Sequence, residues 1–108
     1  MYCSQFMLVH KEFVFIFGYD KTITKFNFMR KEKICTIDVL KSVTAVKLIK
    51  CSDGMMPYKV VVAFADGEIV LYDTDLNVLF SVHRQTNNEI IKIVQLSPNE
   101  IICFQKEG

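Results

Sequence analysis

The chain has 108 residues, 51% of them apolar, and a formal net charge of +1. That length allows one small domain and not two. The apolar content and near-zero charge exclude a disordered chain, and scattered basic residues without net positive charge argue against nucleic acid as the main partner.

No segment reads as helix. The apolar runs are short and rich in Val, Ile, Phe and Tyr, which suit a pleated, half-buried surface. Turn residues break them every 8 to 12 residues or so, the rhythm of an all-β sandwich, barrel or propeller. Ten strands are expected. Phe6 to Val9 comes first, then a turn at His10-Lys11-Glu12. Phe13 to Phe17 is nearly all apolar, as for a strand buried on both faces. After Gly18-Tyr19-Asp20-Lys21, Thr22 to Phe28 alternates, so one side is expected to meet solvent. Arg30-Lys31-Glu32 turns the chain into Lys33 to Val39, which alternates again. Val43 to Ile49 opens a second cycle. The longest loop, Lys50 to Pro57, holds Asp53-Gly54 and Pro57. Tyr58 to Phe64, with three consecutive valines, is the second buried strand. Asp66-Gly67 is a strong turn dipeptide. Glu68 to Asp73 and Val78 to Val82 follow, then a polar loop from Arg84 to Glu89. Ile90 to Leu96 begins a third cycle, Ser97-Pro98-Asn99 turns, and Ile101 to Phe104 is expected to be its buried strand.

The cycles repeat. Asp20 to Asn27 (DKTITKFN) and Asp66 to Asp73 (DGEIVLYD) lie 46 residues apart and match by position. Each has an Asp opening a turn, an Ile three residues on, an aromatic six residues on and a polar closing residue. Val14-Phe15-Ile16 aligns with Val60-Val61-Val62, and Val43-x-x-Val46-x-Leu48 with Ile91-x-x-Val94-x-Leu96. A repeat of this length marks one supersecondary unit used more than once. Four strands per cycle, with the second most enclosed, is the pattern of a propeller blade.

These residues resemble the WD-repeat family of β-propellers. Ile91-x-x-Val94-x-Leu96-Ser97-Pro98-Asn99 is similar to the family's first strand and following turn. Asp20 and Asp66 stand at its turn aspartate, and Phe26-Asn27 and Tyr72-Asp73 stand where the family has Trp-Asp. The chain departs from the family in having no Trp and no Gly-His pair before Val43 or Ile90. Asp20 and Asp66 are left a local role, accepting hydrogen bonds from the backbone of their own turns. Phe26 and Tyr72 are expected to fill the volume of the missing Trp, equivalent and largely buried.

The resemblance implies an all-β fold of four-stranded antiparallel blades in an incomplete ring: one partial module over residues 1–108, with blade-like units at about 6–39, 43–82 and 90–105. Two and a half blades fall short of the four or more of a ring. Such a chain is expected to be a piece of a longer propeller completed by further blades, or a subunit that another chain completes; by itself it is expected to self-associate, to bind a completing partner or to unfold readily.

Little in the sequence carries chemistry. The four cysteines (Cys3, Cys35, Cys51 and Cys103) include no C-x-x-C pair, and no metal-ligand spacing appears. Cys35 and Cys103, inside apolar runs, are expected as buried free thiols. The start MYCSQF lacks the order of a signal peptide, and no apolar run reaches the roughly 18 residues that span a bilayer. An intracellular, cytoplasmic protein without membrane insertion is expected. His10 and His83 sit near strand ends. Asp73 and Asp75 read as a solvated turn, and Ser97 lacks the flanking glycines of a nucleophile elbow. The four glycines are isolated, so no phosphate-cradling loop is present. Neither a catalytic residue nor a cofactor is expected. Met55, Met56 and Tyr58 bring adaptable apolar groups to the longest loop and are the candidate partner-binding residues. The function these features imply is a non-catalytic scaffold for protein partners. The alternatives are a piece of a catalytic, quinoprotein-like propeller and a small self-contained β-sandwich or barrel.

Overall fold

A computed structural model describes residues 4–52, 54–84 and 88–106. Asp53 of the expected Asp53-Gly54 turn and Cys3 lie outside the described residues. Short β-branched and aromatic runs separated by tight turns leave each run's backbone groups to pair with the next run. Among the described residues ten strands result: β1 (Ser4–His10), β2 (Phe13–Gly18), β3 (Thr22–Asn27), β4 (Glu32–Asp38), β5 (Val43–Lys50), β6 (Tyr58–Phe64), β7 (Glu68–Tyr72), β8 (Val78–His83), β9 (Ile90–Ser97) and β10 (Glu100–Gln105). They form two four-stranded antiparallel sheets, β1-β2-β3-β4 and β5-β6-β7-β8, and the hairpin β9-β10. By its contacts the chain divides into two compact units, Met1–Ser42 and Val43–Gly108.

Within the first unit, Phe15, Phe17 and Ile23 are fully enclosed. Strand β3 ends at Asn27, not Phe28, and does not keep one face in solvent: Ile23, Thr24 and Lys25 are all buried in succession. Lys25 tolerates this because its Nζ lies 4.3 Å from the centroid of the Phe13 ring, a cation–π contact. Thr24 pairs with Thr36 across β3 and β4, their hydroxyls 3.0 Å apart.

In the second unit the core lies between the β5–β8 sheet and the β9–β10 hairpin. Ala45, Ile49, Val61, Ala63, Ile90 and Ile93 form a buried cluster, with Cys51, Ile69, Leu71 and Cys103 packed against it. Strand β6 is buried from Val60 to Phe64, as its unbroken apolar run requires. Strand β10 is not. Ile101, Ile102 and Phe104 are exposed and Cys103 is half-buried, correcting the expected inner strand. Among the described residues β10 pairs with β9 alone, so an apolar sequence by itself does not enclose it. The thiols are corrected likewise: Cys35 and Cys103 are free but only half-buried.

The registers define the repeat. Val14 pairs with Phe26 and Val60 with Tyr72. The β3–β4 ladder is interrupted between Lys25 and Phe26, and the β7–β8 ladder between Leu71 and Tyr72. Each first strand also carries an irregularity at its start, at Ser4/Phe6 in β1 and Val43/Ala45 in β5. The hairpin repeats it, since Ile90 pairs with Gln105 but Lys92 with Phe104. This places Ile90, not Ile91, in the position of Val43. Val43 and Ile90 are buried, while Ile91 is 55% exposed. The alignment of Val43 with Ile91 is therefore out by one residue, and in a strand one residue exchanges the two faces.

Candidate protein interaction surface

The turns that hold the sheets are built alike. Lys21 N–H donates to Gly18 O at 3.3 Å and Gly67 N–H to Phe64 O at 3.1 Å. Asp66 Oδ1 accepts from Glu68 N–H at 3.0 Å. Asp20 departs from the expected backbone contact: its Oδ1 accepts from the Thr22 side-chain hydroxyl at 2.6 Å. After the third strand, Asn27 Oδ1 accepts from the N–H groups of Met29 and Arg30 at 3.0 and 2.9 Å. Asp73 Oδ1 accepts from those of Asp75 and Asn77, both at 2.9 Å. These side chains close turns, as expected of Asn and Asp. Phe26 and Tyr72 occupy equivalent registers but are not equally enclosed. Tyr72 is 4% exposed, whereas Phe26 is only half-buried.

The loop from Cys51 to Pro57 is closed by Cys51 N–H donating to Pro57 O at 2.7 Å. Gly54 there has φ of 66°, a left-handed conformation that glycine adopts without steric cost. Met55 is 98% exposed and Met56 50%. Both line a cleft of about 340 Å³ with Gly54, Lys59, Asp73 and Leu79. Tyr58 does not line this cleft. It begins β6, half-buried, with Lys50 Nζ 5.6 Å from its ring centroid.

The larger apolar surface lies elsewhere and was missed from the sequence. Strand β8 is exposed along its whole length, although Val78, Leu79, Phe80 and Val82 are apolar. Phe80 and Val82 wall a groove of about 460 Å³ whose floor is Ile49, Val61, Ile69 and Leu71 and whose rim is Pro98 and Ile101. The signal was present: four apolar residues in five, too many for a strand with one solvent face. Gln95 ties β9 to β5 beside this groove. Its side-chain oxygen accepts from Lys50 N–H at 3.0 Å, and its Nε2 donates to Lys50 O at 2.7 Å. The amide thus imitates the peptide group of a further strand.

Polar chemistry is sparse. Among the described residues no three His, Cys, Asp or Glu side chains gather as metal ligands. Burial raises the pKa of the Cys103 thiol, partly offset by Arg84, so the thiol is held protonated. Burial, then the charges of Lys11 and Lys25, lower that of His10. No described helix is long and apolar enough to cross a membrane.

No protein-family model matches the chain, and no curated protein matches it by sequence. Solved structures do match. Against BBS1N in complex with ARL6DN, soaked with lead, the TM-score is 0.78 at 11% identity, over 95% of this chain and 34% of that one. Against the same complex soaked with mercury it is 0.80 at 10% identity, over 95% and 31%. Against BamB from Moraxella catarrhalis it is 0.62 at 14% identity, over 83% and 25%. The chain thus spans no more than 34% of the length of these matches. At such identities the likeness concerns the fold, and these neighbours are β-propellers. The chain is accordingly all-β, made of four-stranded antiparallel propeller blades. Its described strands amount to two blades and a further hairpin, fewer than a ring requires. The self-contained sandwich or barrel is set aside.

Proposed function

We propose that the chain is a non-catalytic protein-interaction module, a divergent WD-like propeller segment acting in the cytoplasm. The observation that carries this reading is the amount of large apolar side chain left in solvent within the second unit. Val78, Leu79, Phe80 and Val82 on β8 and Met55 and Met56 on the neighbouring loop are all at least 44% exposed. Contiguous apolar surface of this kind marks interaction sites in soluble proteins, and Met adapts to varied partners. BBS1N, whose fold this chain shares, was crystallised in complex with ARL6DN. Unpaired thiols at Cys35, Cys51 and Cys103 accord with a reducing compartment. WD kinship is supported by the turn residues Asp20, Asp66, Asn27 and Asp73 in their repeated places.

Site-specific photo-crosslinking tests the reading. A photoreactive residue at Met55 or Leu79 should yield a discrete adduct with another protein in cells, and one at Lys31 should not. Adducts at none of these positions, or equally at all three, would reject it.

A further inference from the structure

The turn after the third strand carries opposite chemistry in the two units. In the second, Asp73 N–H donates to Asn77 O at 3.0 Å and the chain turns through Thr74, Asp75 and Leu76. That turn is acidic and folds its apolar residue inward, so that Leu76 is only 5% exposed. In the first, Asn27 pairs with Glu32 and the chain turns through Phe28, Met29, Arg30 and Lys31. This turn is basic and holds its apolar residues outward: Met29 is 71% exposed and Phe28 43%. Turn chemistry calls for neither, since Asn, Asp, Gly and Ser suit such positions.

The tip is held in place. Asn27 Oδ1 accepts from the N–H groups of Met29 and Arg30. Phe28 N–H donates to Glu12 O at 3.0 Å, which ties the tip to the β1–β2 turn at the same end of the sheet. Lys11 of that turn, Arg30, Lys31 and Lys33 are all exposed, four cations against the carboxylates of Glu12 and Glu32. The N–H groups of Phe28, Met29 and Arg30 are thus already bonded within the sheet, and the tip offers no ladder to a further strand. Propeller strands add along sheet edges and blades stack on sheet faces; a hairpin tip is neither.

Two adjacent apolar side chains at a protruding turn, flanked by cations, match a flat anionic lipid surface. The apolar groups enter the boundary between headgroups and acyl chains. Lys and Arg lay their stems along it and keep their charges at the headgroups, where each is attracted by the negative surface potential. A protein would instead have to enclose the tip, and the tip lines neither of the clefts described above. We infer that the turn from Phe28 to Lys31, with Lys11 and Lys33 beside it, is a peripheral contact for an anionic phospholipid surface. Phe28 and Met29 enter the headgroup layer without crossing the membrane. The contact is weak and reversible, of the kind that adds to a second one.

The chain has no Trp, so Met29→Trp places a single reporter at the tip of the full chain. Vesicles of phosphatidylcholine and phosphatidylserine should shift its emission to the blue, and brominated acyl chains should quench it. Phosphatidylcholine alone should do neither, and high salt should reverse both effects. Arg30→Gln or Lys31→Gln in that background should weaken binding about fivefold, the scale of one basic residue near such a surface. Asp75→Trp, in the equivalent turn, should not respond; an equal response there would show that Trp itself adsorbs and would overturn the inference. In flotation with the same vesicles, Met29→Ser should weaken binding of the otherwise unaltered chain about tenfold, the scale of one apolar side chain withdrawn from water. Phe80→Ser should leave it unchanged, and the reverse result would assign the adsorption to β8. Thermal melts establish that the variants fold; if one does not, flotation of the unaltered chain decides, and no binding to phosphatidylserine vesicles at millimolar lipid overturns the inference. So would a Trp response to polyglutamate and none to vesicles, which would give the tip to an acidic protein. Adducts at Met55 and Leu79 concern the second unit alone, so failure here leaves the interaction reading standing.

Discussion

The sheets β1–β4 and β5–β8 carry one hydrogen-bond framework on two different sets of side chains. The registers of Val14 with Phe26 and Val60 with Tyr72, the ladder irregularities beside them and the turn bonds at Lys21 and Gly67 recur 46 residues apart. Yet Phe26 is half-buried where Tyr72 is enclosed, Lys21 stands where Gly67 does, and Asn27 does the work of Asp73. Turn chemistry and strand register therefore specify this unit, and the aromatic at its third strand is free to vary in how much it contributes.

The most severe test of that view is the aromatic pair. Tyr72→Ala should destabilise by about 3 to 5 kcal/mol, as for other buried aromatics. Phe26→Ala should cost only about 1 to 2 kcal/mol, in keeping with partial burial. Equal losses in urea melts would show that the two positions are energetically interchangeable and that burial is the wrong measure of their difference.

The capping residues come next. Asn27→Ala and Asp73→Ala each remove two side-chain acceptor contacts to backbone N–H groups. Each should cost about 1 to 2 kcal/mol, while Asn27→Asp, which copies the other sheet, should cost under about 0.5 kcal/mol. A large loss in Asn27→Asp would separate two turns that here look alike.

An exchange at the tight turns sharpens the comparison further. Lys21 has φ of 65° and Gly67 of 93°, a region where a side chain costs about 1 to 2 kcal/mol. Gly67→Ala should lose about that much. Lys21→Gly should gain up to about 1 kcal/mol, less the extra chain entropy of glycine. Thermal melts of the two single variants read this directly, and a loss in Lys21→Gly would mean that the Lys21 side chain is needed where it is.

The smallest effect concerns pH and belongs to the first sheet. Burial and the neighbouring lysines hold the His10 pKa below its ordinary 6.5. The unfolded chain then binds the proton more readily than the folded one. Stability from this source is fully present above about pH 6.5 and falls as pH drops from there through the folded value. The urea midpoint should be lower at pH 5.5 than at pH 7.5, and His10→Gln should reduce the difference. An unchanged difference in the variant would assign the pH dependence to other groups.

Much of the blade was legible in the residues. All ten strands fall within two residues of their expected ends, because tight turns rich in Asp, Gly and Asn interrupt runs whose β-branched content leaves no other structure. The local role of Asp66 was legible for the same reason, since it acts within two residues of itself, whereas Asp20 turned to the Thr22 hydroxyl instead of the backbone. The candidate site was less so. Met55 and Met56 are exposed, Tyr58 is turned to Lys50, and the groove beside β8 went unseen. The apolar run Val78 to Val82 signals an apolar surface, but nothing local in it says whether a neighbour covers that surface.

By itself, then, the sequence determined what is local: which runs are strands, where they turn, that Asp66 closes its own turn, and that one unit occurs more than once. Only the tertiary structure decided which strands are enclosed. Ile101 to Phe104 is as apolar as Val60 to Val62, yet Ile101, Ile102 and Phe104 are exposed, because burial depends on neighbours that a run of residues does not encode. The same holds for register. The irregularity at Ile90 moves Ile91 into solvent, and a shift of one residue, invisible in an alignment of apolar letters, decides which side of a strand meets the core.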